Sequence, residues 1–261
     1  MYEAFWGLRE KPFENSPDPR YLYPSAEHLQ AVDTLAYAIR SRKGGALLTG
    51  DYGCGKTLLI RILAQELEPD GVQLAVISYP KLTAAELLRE ALYQLGHDVS
   101  SNSRLRLTRA FGEVLQHNLR AGKHTLLIVD EAQVIQKKSI FEELRLLLNY
   151  QLNDRFLLTL LLVGQPELRE QVAQIPQLEQ RFAVKAHLHT FDLVDTARYI
   201  AYRLGVAGAS RTVFTSDAVG RIYQRSFGCP RRINNLGDLC LWKGFQKGVS
   251  EIDAELVESA A

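Results

Sequence analysis

Apolar residues fall along this chain in two alternating patterns. Short continuous runs read as strands buried on both faces: Ala46-Leu47-Leu48-Thr49, Thr125-Leu126-Leu127-Ile128-Val129 and Phe156 to Val163. Gln73 to Tyr79 and Val184 to Leu188 complete a set of five. Between the runs lie segments with a single apolar stripe at helical spacing. Leu29, Val32, Leu35, Ala36 and Ile39 follow Ser25, and Leu59, Ile62, Leu63 and Leu67 mark Leu58 to Leu67. Thr83 to Leu95, Leu105 to Ala121 and Ile140 to Leu152 read as further helices. From Asp192 onward no strand is evident. Leu193, Ala197, Ile200 and Leu204 predict a helix stopped by Gly205. Thr215 is placed to cap a second, with Val219, Ile222 and Tyr223, and Pro230 opens a third, with Ile233, Leu236 and Cys240. The expected organisation is an α/β domain over 26–191 and a small helical domain over 192–261.

Residues 1–25 fit neither pattern. Pro12, Pro17, Pro19 and Pro24 argue against a regular helix or central strand, yet Phe5, Trp6, Phe13, Tyr21 and Tyr23 are too many aromatics for a solvated tail. An ordered N-terminal strap packed on the domain is the expectation.

Composition narrows the function classes more than the fold. The 261 residues are 46% hydrophobic and 23% charged, ample for a core. A formal net charge of +1 provides no global field for nucleic acid or acidic lipid. Arg104, Arg106, Arg109, Arg120 and Lys123 on and just after one helix form a local basic face, read as solvated, with a nucleic-acid or lipid contact the alternative. Cys54, Cys229 and Cys240 include no CxxC pair, so neither a disulfide framework nor a zinc site is indicated. The N-terminus lacks a basic region followed by an apolar one, and the apolar run near Leu157 to Val163 is too short to span a bilayer. A soluble, cytoplasmic protein is expected.

The chemistry enters at Gly50-Asp51-Tyr52-Gly53-Cys54-Gly55-Lys56-Thr57, which fits G-x-x-x-x-G-K-[ST] at every fixed position. The run lies between a strand and the helix beginning at Leu58, the context that makes such a loop a phosphate cradle. Backbone N–H groups and the positive helix end would hold the β- and γ-phosphates, Lys56 would add charge, and Thr57 would ligate Mg²⁺. Asp130-Glu131 closes the second buried run at its carboxyl end, where ligands of parallel sheets sit. Asp130 is placed to hold Mg²⁺ through its water, and Glu131 to polarise the attacking water. Phosphoryl transfer also needs donors on the γ-phosphate. Gln165 ends the fourth strand, either orienting the water or touching the γ-phosphate, or serving as a turn residue before Pro166. Arg181, before the fifth strand, is a surface ion-pair residue or reaches a neighbouring subunit. Arg231 and Arg232, after Pro230, both compete to fold back onto bound nucleotide. The strap is a structural element or a cover for the adenine.

Together these residues resemble the AAA+ ATPases. In that resemblance Gly50–Thr57 looks like Walker A, Leu126–Glu131 like Walker B, Gln165 occupies the sensor 1 position, and Arg181 is the arginine finger. Gly228-Cys229-Pro230-Arg231 looks like sensor 2, selecting Arg231 over Arg232, and the helical part is the lid. The resemblance implies a five-stranded parallel sheet of order 5-1-4-3-2, ATP and Mg²⁺ as ligands, and a homo-oligomer whose sites a neighbour's Arg181 completes. Phe5-x-Gly7-Leu8-x-x-x-Pro12-Phe13, Pro17-Asp18-Pro19-x-x-Leu22-Tyr23, Val163-Gly164-Gln165-Pro166-Glu167-Leu168 and Pro230-Arg231-Arg232-Ile233-Asn234 resemble more narrowly the ExeA/GspA family of general secretion pathway protein A. That likeness implies an ATPase that assembles an envelope secretion, pilus or polysaccharide-export machine. Such a protein would be the cytoplasmic region of an inner-membrane-associated protein or a stand-alone relative. Two other functions share the core: a DNA-binding transposition regulator of the TniB/TnsC type, and a nucleotide-dependent switch with negligible turnover.

Overall fold

The computed structural model describes residues 1–260. In chain order the helices are α1 (Glu3–Trp6), α2 (Ala26–Arg40), α3 (Lys56–Leu67), α4 (Ala84–Gln94), α5 (Arg104–Arg120), α6 (Lys138–Leu147), α7 (Glu167–Ala173), α8 (Pro176–Glu179), α9 (Leu193–Val206), α10 (Ser216–Ser226), α11 (Pro230–Lys247) and α12 (Ala254–Ala260). The strands are β1 (Gly45–Gly50), β2 (Val72–Ile77), β3 (His124–Val129), β4 (Leu158–Gly164) and β5 (Phe182–Leu188). They form two compact units. One takes Met1–Ala26, Asp51–Leu58 and the chain from His189 onward; the other takes Glu27–Gly50 and Leu59–Leu188.

The second unit is built on a five-stranded sheet of order β2-β3-β4-β1-β5, with every pairing parallel. Read from the other edge, this is the order 5-1-4-3-2 that the resemblance implies. Strand alternation explains why the runs are apolar throughout. Leu47, Leu127, Val129, Leu158, Leu160 and Leu162 join one core cluster with α4, α5 and α6, through Leu88, Phe111 and Leu144. Their neighbours Ala46, Leu48, Leu126, Ile128, Leu161 and Val163 point the other way and are equally inaccessible. Both faces of the sheet are therefore covered, which only helical crossovers allow.

Local chemistry sets the element ends. Thr83 caps α4 with a reciprocal capping box to Glu86. The helix expected over Ile140 to Leu152 stops at Leu147, because the chain turns back through a bridge between Gln151 and Phe156, with Leu152 N–H on Arg155 O at 2.8 Å. Two short helices, α7 and α8, fill the stretch between β4 and β5, each too short for its apolar period to stand out in the sequence.

In the other unit, α9 to α12 share a core with the strap. Tyr2, Trp6, Leu8 and Phe13 pack with Ile200, Phe214, Ile233 and Leu241. Trp6 Nε1 donates to Leu241 O at 2.9 Å. The strap is held by Arg203, only 4% exposed. Its guanidinium donates to Pro12 O, to Glu14 O at 2.9 Å and to the Tyr199 hydroxyl at 2.8 Å, and it stacks on Tyr21 at 4.6 Å. This buried cation is neutralised by carbonyl dipoles and aromatic faces. α9 runs through Gly205 to Val206, and Gly208, at φ 93°, makes the turn expected of Gly205. Thr215 caps α10 as expected, accepting from Ala218 N–H at 3.2 Å.

His124, at the start of β3, gives a pH test of the sheet. Its Nε2 lies 2.8 Å from Thr159 Oγ1, and that hydroxyl donates to Lys43 O at 2.7 Å, so the ring N–H must donate to Thr159. Its buried Nδ1 has no partner among the described residues. Burial, reinforced by Arg42, pushes the imidazole pKa down to about 4. The native state keeps His124 neutral while the unfolded chain protonates it near pH 6.5. Stability from this group is thus complete above about pH 6.5 and is lost as pH falls toward 4, by on the order of 3 kcal/mol in total. Urea unfolding at pH 7 and 4.5 should show that loss in the wild type, and the His124→Gln protein should lack that part of the slope.

Candidate active site

Each unit carries one part of the candidate chemistry. The loop after β1 runs from Asp51 to Gly55, and α3 begins directly at Lys56. Gly53 and Gly55 adopt φ of 84° and 91°, the left-handed region that side chains resist. Cys54 is fully buried, and its backbone N–H donates to Asp51 O at 3.3 Å within the loop. Lys56 is 7% exposed and its Nζ donates to Asp51 O at 2.9 Å. That contact curls the lysine back over its own loop. Thr57 is exposed on the first turn of α3, where the positive helix end favours an anion.

The amino end of α11 is fastened to this loop. Arg231 N–H donates to Gly53 O at 3.3 Å, and Cys229 Sγ lies 3.3 Å from Tyr52 O. The Arg231 guanidinium sits 4.6 Å from the Tyr52 ring centroid and donates to the Tyr52 hydroxyl. Arg232 is exposed beside it. Gly53 has a second reason to be glycine: a Cβ there would meet Arg231 Cβ at 2.8 Å and Cys229 Sγ at 3.0 Å.

The second part lies at the carboxyl edge of the sheet. Parallel register brings Gly50, Val129 and Gly164 to that edge. Asp130 continues the ladder by donating to Ile77 O at 2.9 Å. Its carboxylate is 6% exposed, and Oδ1 accepts the Glu131 N–H at 2.8 Å. Glu131 has φ 52°, an uncommon conformation for a residue with a side chain. Its carboxylate accepts from Gln133 Nε2 on Oε2 at 2.5 Å. The same amide accepts the Gln165 N–H on Oε1 at 3.1 Å. Gln133 was not singled out in the sequence. The signal available was its position two residues after Glu131, a spacing that reads as ordinary loop.

Arg181 lies elsewhere. It precedes β5, beside Phe182, which pairs with Gly45, whereas Gly50 pairs with Leu188. Seven residues of β5 separate the two ends, roughly 20 Å of strand. Its guanidinium stacks at 5.8 Å from the Phe156 ring at the amino edge. The structure thus gathers Asp130, Glu131 and Gln165 at one edge and leaves Arg181 at the other. Three or more His, Cys, Asp or Glu side chains grouped to hold a metal do not occur among the described residues.

A family model described as AAA domain matches residues 39–172, just over half of the chain. The chain belongs to the AAA-domain family. It is thereby an ATPase of the AAA+ P-loop type. It is 38% identical to general secretion pathway protein A of Aeromonas hydrophila over 97% of its own length. It spans 46% of that relative. Solved structures agree on the fold. The Aeropyrum pernix ORC2 protein in ADPNP–ADP complexes matches with TM-score 0.74 and 17% identity, over 96% of this chain and 71% of that one. The Thermotoga maritima RuvB Holliday junction branch migration motor matches with TM-score 0.59 and 18% identity, over 90% and 68%. No helix among the described residues is long and apolar enough to cross a membrane.

Gly53→Ala combines a forced left-handed alanine with a steric clash on α11. It should cost roughly 1–3 kcal/mol, and so lower Tm by about 2–4 °C for each kcal/mol, while weakening binding of a fluorescent ATP analogue. An unchanged melting curve together with unchanged affinity would remove the role given to this close approach.

Proposed function

We propose that this AAA-domain protein hydrolyses ATP with Mg²⁺ at a site completed by a neighbouring copy, and that turnover drives assembly of a bacterial envelope machine. The observation that carries the chemistry is the separation of Arg181 from Gly50 along β5. Arg181 and Gly50 lie at opposite ends of β5's register, and in this reading Arg181 serves a loop on the next subunit.

In this reading the loop N–H groups and Lys56 hold the phosphates, and Lys56 gives up its contact with Asp51 O to do so. Gly50 to Leu58 supply the cradle, and Arg231 adds a cation where it now lies on Tyr52. Donors for the metal are oxygens, the Thr57 hydroxyl and the Asp130 carboxylate. Such a pair suits a hard cation that keeps waters and phosphate oxygens. When bound, Mg²⁺ would offset phosphate charge. Glu131 accepts a proton from water as the water oxygen bonds to the γ-phosphorus and the bond to the bridging oxygen breaks. ADP and inorganic phosphate leave. Gln165 orients the water or the γ-phosphate, and a neighbour's Arg181 stabilises the charge that develops.

The envelope role is supported by the likeness to general secretion pathway protein A over nearly the whole chain. The transposition alternative needs a basic stripe. Arg104 contributes little to one, because it pairs at 2.5 Å with Glu143, a carboxylate 3% exposed. Activity stimulated by duplex DNA and lost steeply with salt would revive that alternative.

Glu131→Gln should bind ATP normally and lose about 10²–10⁴ in kcat. An unchanged rate would remove its role as base. Arg181→Ala should fall by about 10³ or more. Mixed in equal amounts, the two dead proteins should recover about a quarter of the wild-type rate, since head-to-tail contacts pair one intact Glu131 with one intact Arg181 at that frequency. No recovery would rule out the shared site.

A further inference from the structure

We infer that Gln133 is the positioning residue that sets the Glu131 carboxylate against Gln165, so that hydrolysis depends on an amide bridge between the base and the end of β4. The inference rests on the reading of Glu131 as the base.

Three contacts fix Gln133. Its main-chain oxygen accepts from Gln171 Nε2 on α7 at 3.0 Å. Its side-chain oxygen accepts the Gln165 N–H at 3.1 Å, and its side-chain nitrogen donates to Glu131 Oε2 at 2.5 Å. The amide has only one consistent orientation. A backbone N–H can only donate and a carboxylate can only accept, so a flipped amide would set donor against donor and oxygen against oxygen. Oε2 of Glu131 thereby accepts one fixed hydrogen bond, which sets the direction of the carboxylate. The backbone is arranged for the same purpose. Glu131 takes φ 52° as the residue before the short 3₁₀ turn Ala132–Val134 that carries Gln133. Strain of that kind persists only where surrounding contacts hold it.

Gly164 supplies an independent sign. A Cβ built there would lie 2.5 Å from Gln133 Oε1 and 2.9 Å from Leu168 Cδ2. Its φ lies outside the positive range, so backbone freedom is not what the position requires. It requires an empty space, and the Gln133 amide fills it. The Gly-Gln pair at the end of β4 is therefore one half of a built contact, with Gly164 admitting the amide and Gln165 donating to it. A shift of Gln165 on meeting a γ-phosphate would pull directly on the group that aims the base.

The test separates aim from fold. Gln133→Met keeps the length and loses both side-chain hydrogen bonds. Gln133→Glu keeps the acceptor for Gln165 but sets a like charge against Glu131. Misplacing a reacting group by an ångström costs up to about 100-fold, so kcat should fall about 10- to 100-fold in Gln133→Met and further in Gln133→Glu. KM for ATP, analogue affinity and Tm should stay near wild type. Gly164→Ala should lower kcat in the same direction with Gln133 intact. Wild-type kcat in both Gln133 variants overturns the inference. So does a loss of kcat in Gln133→Met alone, or one matched by losses of affinity and Tm, which marks a structural role. Glu131→Gln measured alongside tells the two levels apart. If that variant is slow and the Gln133 variants are normal, only the bridge fails; if it is itself normal, the base fails and the bridge with it.

Discussion

Parallel pairing gives a sheet a chemical polarity, and the candidate site of this protein depends on it. With all five strands running the same way, every carboxyl end lies at one edge and every amino end at the other. Side chains that follow a strand, such as Asp130 and Gln165, converge at the first edge. A side chain that precedes one, such as Arg181, is sent to the second. Full burial of alternate residues such as Leu126 and Leu127 on opposite faces holds the register. A slip by one residue would exchange the two faces and expose neither to anything it fits. Chemistry at the edge thus inherits its precision from packing in the middle.

Around the loop the same logic is carried by polar contacts. Gly53 is approached by Arg231 and Cys229, and the guanidinium of Arg231 lies on Tyr52. The unit to which they belong has its own anchor in Arg203, whose charge is shared among two strap carbonyls, a hydroxyl and two rings. The strap's aromatics therefore serve the core of α9 to α12.

Much of this was legible in the sequence because it rests on period and on residue type. Continuous apolar runs gave the buried strands, and Gly50 to Thr57 and Asp130-Glu131 announced themselves by spacing. What escaped was set by tertiary geometry. The early end of α6 follows from a turn that brings Gln151 to Phe156. Gly205 resembled a helix stop, yet lies within α9 because Gly208 is the residue that takes the left-handed turn. α12, seven residues long, was too short to stand out as a period. Gln133 escaped for a different reason: an amide two residues past a carboxylate carries no pattern, and its meaning comes from β4 lying beside β3. The space left by Gly164 was equally invisible, since a glycine at a strand end reads as a turn.

The central claim is that one copy of the chain holds an incomplete site. The most direct measurement is the wild-type ATPase rate per chain as protein concentration is varied at saturating ATP and Mg²⁺. If a neighbour's Arg181 completes the site, the rate per chain rises with concentration and levels off as copies associate. A rate per chain that is constant down to concentrations where sedimentation shows only monomer would contradict it.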